Sequence, residues 1–219
     1  MAYTRAIGPV EISDDPAVFD PDLILSAPTA MPDAKANEKA LTFLEEARKN
    51  CDSVGGCMEC IVTGLPAGIG DPVFEKLDAN LAKAIMSIGA VKAVEIGDGM
   101  EASRHKGSEN NDPFLLDAPG AGDGVDSGIL SRIRTAGNRH GGALGGMSSG
   151  MPIVFRAAVK PTPSIGLPQD SVDLASGKNT TLVVSGRHDP CIVPRAVPVV
   201  EAAAACVLYD SLLEAKTWN

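Results

Sequence analysis

Three short stretches hold side chains that could do chemistry on an anionic small molecule. Lys160-Pro-Thr-Pro-Ser164 puts a Lys ammonium, two hydroxyls and backbone N–H groups on one proline-stiffened turn. That set suits a phosphate or a polarised ring carbonyl; its bland alternative is a solvated Lys before a turn. Gly186-Arg-His-Asp-Pro-Cys191 sets Arg187, a planar anion clamp, beside Asp189, a candidate positioned base, and His188, its rival. The alternative there is an Arg–Asp pair that only ties down a loop. Residues 141–150 (GGALGGMSSG) and 120–124 (GAGDG) bring backbone close to something, with Asn138, Arg139, His140, Ser148 and Ser149 alongside. Neither glycine run follows a strand and opens a helix, as a dinucleotide fingerprint must, and no GxxxxGK[ST] occurs.

Cys57-Met-Glu-Cys60 and His188-Asp-Pro-Cys191 have spacings that invite zinc. Cys57 and Cys60 fall in an extended stretch, where residues three apart point to opposite faces. Buried structural thiols are the better reading, and no metal is expected.

The bulk numbers narrow the class. The net charge of −9 over 219 residues argues against a nucleic-acid protein. Residues 151–200 run the other way: five Lys/Arg against three Asp give +2, leaving −11 on the rest, so a mildly basic island is a candidate anion site. The start MAYTRAIGPVEI lacks the pattern of a secretory leader, and no apolar run is read as a membrane span. Five cysteines are an odd number and too sparse for a disulfide scaffold. Reduced thiols in a cytoplasm follow, with a small-molecule substrate, no nucleic acid and no membrane as partners.

The elements that must position these residues come next. Residues 4–13 read as a strand and the proline-rich residues 14–32 as a surface crossing. Between Asp33 and Asn50, Ala40, Leu41, Leu44 and Ala47 recur at helical spacing, with Asp33 as the cap. Residues 53–66 read as a buried strand opened by Gly55-Gly56. Asp71-Pro72 looks like a helix start, with Val73, Leu77, Leu81, Ile85 and Ile88 on one face and Gly89 as the stop. Residues 90–97 are a strand. Residues 97–150 are rich in Gly and Asn with little periodicity, a long functional loop region or a disordered one. A strand over 152–161 ends at Lys160, residues 161–177 form a Pro-rich crossing, and 181–186 form another strand. An Ala-rich helix, expected to be mostly buried, closes the chain over 198–215. The whole reads as one domain, 1–219.

In chain order, several segments together resemble one family closely. They are Asp52-Ser-x-Gly-Gly56, Gly64-Leu-Pro-x-Gly-x-Gly70, Ala90-Val-Lys-x-Val-Glu-Ile-Gly97, Gly107-Ser-Glu109 with Asn111-Asp112, Gly141-Gly-x-x-Gly-Gly-x-Ser-x-Gly150, Lys160-Pro-Thr, and Gly186-Arg-His-Asp-Pro-Cys191 with Arg195-Ala-Val-Pro198. The family is chorismate synthase. The resemblance implies an α+β fold, a β-α-β sandwich incomplete in this chain. It implies a 1,4-trans elimination assisted by reduced FMN, in which 5-enolpyruvylshikimate 3-phosphate loses phosphate and a C6 hydrogen to give chorismate. It places FMN contacts at Gly89, Ala90, Gly145, Lys160, Pro161, Thr162, Pro163, Ser164 and Arg187. Asp189 matches the family's proton-relaying Asp near the flavin N5, expected here in a poorly hydrated pocket. A cytoplasmic homotetramer with NADP as a further ligand is also implied.

The departures matter as much. The family's Gly-Glu-Ser-His-Gly and Arg-Ser-Ser-Ala-Arg-Glu-Thr motifs, with two functional histidines and several arginines, are absent, and none of His105, His140 or His188 takes their places. The chain therefore reads as the C-terminal part of such an enzyme, expected to be inactive alone. The alternative is a catalytically inactive fragment that binds flavin or self-associates; an unrelated transferase using Lys160 and Arg187 is a weaker third reading.

Overall fold

The computed structural model describes residues 1–117, 129–186 and 188–217. Helices and strands are mixed in an α+β arrangement. In chain order they begin with β1 (Ala2–Ile7), β2 (Val10–Glu11), α1 (Asp22–Ser26), α2 (Ala34–Lys49), β3 (Gly56–Val62), α3 (Leu77–Met86) and β4 (Val91–Ile96). Then come α4 (Gly107–Asn110), β5 (Phe114–Leu116), β6 (Ile133–Thr135), β7 (Ala143–Leu144), β8 (Met147–Ser148), β9 (Ile153–Val159), β10 (Gln169–Asp173), β11 (Lys178–Leu182) and α5 (Val193–Ala215). The largest sheet among the described residues has five strands in the order β2-β1-β3-β9-β4, and three two-stranded sheets pair β5 with β6, β7 with β8, and β10 with β11. The chain divides into two compact units.

The α2 unit comprises Tyr3–Met58 and Val159–Val197. Residues 4–13, expected as one strand, are two: Gly8, at φ +53°, turns the chain so that Ile7 pairs with Val10 and Ala6 with Glu11. Asp33 caps α2 as the sequence predicts, its carboxylate accepting from the backbone N–H of Lys35 (2.9 Å), Ala36 (3.1 Å) and Ser13 (3.1 Å). Burial pushes that carboxyl up, but the three N–H donors outweigh it and hold it below its ordinary value. Ala36, Ala40 and Ala47 are the buried stripe of the helix. Small side chains there let the helix lie close to its neighbours. The expected Pro-rich crossing contains a strand: β10 pairs antiparallel with β11, from Gln169 opposite Leu182 to Asp173 opposite Lys178. Every residue of β11 is exposed, so no apolar alternation marks the hairpin.

The glycine-loop unit comprises Met1–Ala2, Glu59–Ala158 and Pro198–Asn219. Here α3 starts at Leu77 rather than after Asp71-Pro72. Asp71-Pro72 leads only into a short 3-10 turn, Val73–Glu75, in which Val73 lies at φ +66° and is 68% exposed, and Leu77 N–H donates to Gly146 O (2.8 Å) where α3 begins. Leu77, Leu81 and Ile85 are buried on one face as expected. Residues 97–150 carry α4 and two short strand pairs, β5–β6 and β7–β8; GAGDG (120–124) lies outside the described residues. Ser148 knits two glycine segments together. Its Oγ donates to Pro66 O (2.5 Å) and accepts from Ile69 N–H (2.9 Å), while its N–H donates to Ile69 O (2.8 Å). On β9, Ile153, Phe155, Ala157 and Val159 are buried in strict alternation.

Helix α5 departs from expectation. Val199, Tyr209 and Leu213 are exposed, and only 22% of its most apolar 18-residue window is buried. With a mean hydropathy of 1.6 over that window, it is long and apolar enough to cross a membrane by length and composition alone. A 23-residue helix rich in Ala passes this test without any long run of large apolar residues.

Candidate functional site

The turn after α2 organises the site. Cys51 adopts φ +55°, a left-handed conformation that ends the helix at a non-glycine residue. Asp52 N–H returns to Ala47 O (2.9 Å), and Ser53 N–H donates to Asp52 Oδ1 (2.7 Å). Ser53 Oγ then donates to Thr162 O (2.6 Å), while Val54 N–H donates to Pro190 O (2.8 Å). One five-residue segment thus holds both of the loops singled out for chemistry. The glycine pair makes this possible. A Cβ on Gly55 would stand 2.3 Å from Val159 O, and one on Gly56 would stand 2.2 Å from Ala6 O.

Around this junction lies a cavity of about 300 Å³, lined by Arg48, Cys51 and Ser53 from the turn after α2 and by Ser164, Gly186 and His188 from the two loops. His188 Nε2 and Thr162 Oγ1 are buried with no hydrogen-bond partner among the described residues. Buried polar atoms are nearly always paired, so these two orphans set the loops apart, although Thr162 does not itself line the cavity. Asp189 is placed otherwise: its Oδ2 meets Arg195 Nη1 at 2.6 Å, and its side chain is 38% exposed. The dry pocket expected for Asp189 is therefore replaced by a half-open ion pair.

Residues 1–213 match the family model described as chorismate synthase. The chain belongs to the chorismate synthase family. Curated chorismate synthases of Agathobacter rectalis and Lachnoclostridium phytofermentans are 50% and 53% identical over 213 residues, 97% of this chain and 54% of theirs. That of Methanothermobacter thermautotrophicus is 52% identical over 190 residues, 87% of this chain and 48% of its own length. A crystal structure of chorismate synthase superposes with a TM-score of 0.74 at 28% identity, covering 97% of this chain and 56% of that one. The chain spans about half the length of the curated relatives it matches.

Of the residues that the chorismate synthase resemblance assigns to FMN, Lys160 through Ser164 follow β9 in the α2 unit, and Ser164 lines the cavity with His188. Lys160 has no ion-pair partner among the described residues. Arg187 lies outside the described residues. Gly89, Ala90 and Gly145 belong to the glycine-loop unit. Ala90 is left-handed at φ +72°, and Gly145 turns the β7–β8 hairpin at φ +62°. A Cβ at Gly89 or Gly145 would meet nothing within 4 Å. Both positions are open, as a backbone contact to a ligand requires. Within the α2 unit, the Lys160 ammonium and the Ser164 hydroxyl are groups that suit the polar atoms of a flavin nucleotide.

Two features escaped the sequence reading. One is the wall formed by Arg48, Cys51 and Ser53. The other is a half-buried pair in the glycine-loop unit: His140 Nδ1 lies 2.7 Å from Oδ2 of the buried Asp112, which also accepts His140 N–H at 3.1 Å. Next to it, Arg139 Nη1 meets Asp98 Oδ2 at 3.1 Å, with His105 Nδ1 3.5 Å from the same oxygen. Burial pushes the Asp112 carboxyl up, but the ring and backbone hydrogen bonds of His140 more than offset it, so it sits below its ordinary 3.8. A carboxyl whose folded pKa is depressed stabilises the fold above its unfolded pKa, and loses that contribution as pH falls through the folded value. Asp112→Asn is accordingly expected to cost about 1.5–3 kcal/mol at pH 7. The difference from wild type should shrink below pH 4. Urea unfolding across pH 3 to 7 reads it, and a penalty that does not change with pH would show that the charge of Asp112 is idle.

Proposed function

We propose that this chain supplies part of the machinery for chorismate formation, the 1,4-trans elimination of phosphate and a C6 hydrogen from 5-enolpyruvylshikimate 3-phosphate. The observation that carries this reading is the junction at Ser53–Gly55, which gathers the Lys160–Ser164 loop and the Gly186–Cys191 loop around one cavity. Reduced FMN, when bound, assists the elimination with no net redox change. Lys160, Thr162 and Ser164 would hold its polar groups together with Arg187, while Gly89, Ala90 and Gly145 would offer backbone contacts. Phosphate departs as an anion, so a fixed cation lowers the barrier. Asp189, with His188 as its rival, would handle the C6 proton. Residues 1–219 would act as one domain, the C-terminal part of a chorismate synthase with 97–150 as its functional loop region. The reading extends to a cytoplasmic homotetramer with NADP as a further ligand, and to no nucleic-acid or membrane partner.

The test replaces the matching part of the Agathobacter rectalis enzyme with residues 1–213 of this chain. The chimera should form chorismate with pre-reduced FMN, and Lys160→Ala in it should weaken FMN affinity about 10- to 100-fold, the worth of one charge-assisted hydrogen bond. A folded chimera that binds FMN yet makes no chorismate would refute the reading.

A further inference from the structure

We infer that the cavity of the α2 unit is a phosphate-binding site whose cation is Arg48, a residue outside the loops assigned to the flavin above. The inference rests on the proposed function only for naming FMN as the phosphate bearer.

At about 300 Å³ the cavity has the size of a small ligand pocket. Arg48, in the last turn of α2, is the one Lys or Arg among the described residues lining it. Its guanidinium has no ion-pair partner among them, so it is available to an oxyanion. Asp52, the carboxylate in the same wall, is turned toward its own chain, accepting from Ser53 N–H at 2.7 Å. His188 and Ser164 line the same cavity, and His188 Nε2 is buried with no hydrogen-bond partner among the described residues. A guanidinium, an imidazole and a hydroxyl carried by residues around one cavity are the groups an oxyanion site uses. The wall is also held rigid: Gly166 N–H donates to Cys51 O (3.0 Å), and Val54 N–H to Pro190 O (2.8 Å).

Cys51 makes the site observable. Its residue is exposed and lines the cavity, whereas Cys206, also exposed, sits on α5 in the other unit. The 219-residue chain is alkylated with iodoacetamide, and the two modified peptides are followed by mass spectrometry. Inorganic phosphate or FMN, at ten times its own Kd, should slow Cys51 about tenfold by mass action, while riboflavin and the Cys206 rate stay at their controls. Arg48→Gln should abolish the protection by phosphate with the far-UV spectrum unchanged. If neither phosphate nor FMN slows Cys51, the site is overturned. Protection by riboflavin equal to that by FMN, without protection by phosphate, would put a ring in the cavity and overturn the phosphate assignment. Protection by phosphate from a chain that leaves FMN fluorescence unaltered would uphold the site and sink the flavin reading instead.

Discussion

Asp189→Asn, introduced into the chimera described above, is expected to slow single-turnover chorismate formation about 10²- to 10⁴-fold while FMN and substrate affinities stay near wild type. The size is that of a lost proton-transfer group. A loss confined to turnover is the mark of an interaction made only in the transition state. Asn keeps the shape of Asp189 and still presents an oxygen to Arg195, whose Nη1 lies 2.6 Å from Asp189 Oδ2, so the loop should survive. The ion pair itself contributes little, because its side chains are 38% and 69% exposed, and exposed pairs are worth about 0–1 kcal/mol. His188→Asn is the necessary control, since its ring is the neighbouring alternative. A near-normal rate in Asp189→Asn would leave Asp189 and Arg195 as partners that tie down a loop.

What the sequence makes legible divides along physical lines. The Asp33 cap, the Leu77–Leu81–Ile85 face and the strand before Lys160 are local patterns read from neighbours a few positions apart, and all three stand in the structure. The β10–β11 hairpin has no buried face, so periodicity is silent about it. The late start of α3 is decided by a hydrogen bond from Leu77 to Gly146, far outside any local window. The site divides in the same way. Its two loops announce themselves through proline, glycine and charge. The wall that completes the cavity does not, because Ser53 and Thr162 are 109 residues apart and meet only through strand pairing. The Asp112–His140 pair, 28 residues apart, is hidden for the same reason.

The glycine pair of that wall allows the sharpest test of the architecture. Gly55→Ala should destabilise the chain by about 3 kcal/mol, the upper end for an overpacked position. The neighbours of the added methyl cannot step aside: Val159 O would lie at 2.3 Å, Pro161 Cδ at 3.1 Å and the Lys160 carbonyl carbon at 3.2 Å. Two are backbone atoms and the third belongs to a proline ring. Gly55 is not among the residues at positive φ, so alanine suits its backbone and the whole cost is steric. Relief requires the end of β9 to retreat, which carries Lys160 with it. FMN affinity of the folded fraction should therefore fall together with stability, although Gly55 is not expected to touch the ligand. Gly89→Ala is the matched control. Its φ is also not positive, and its methyl would meet nothing within 4 Å, so its unfolding midpoint in urea should stay within about 0.5 kcal/mol of wild type. Equal midpoints for Gly55→Ala, Gly89→Ala and the parent chain would show that β9 does not approach Gly55 this closely. Lys160 would then owe its position to something other than the glycine.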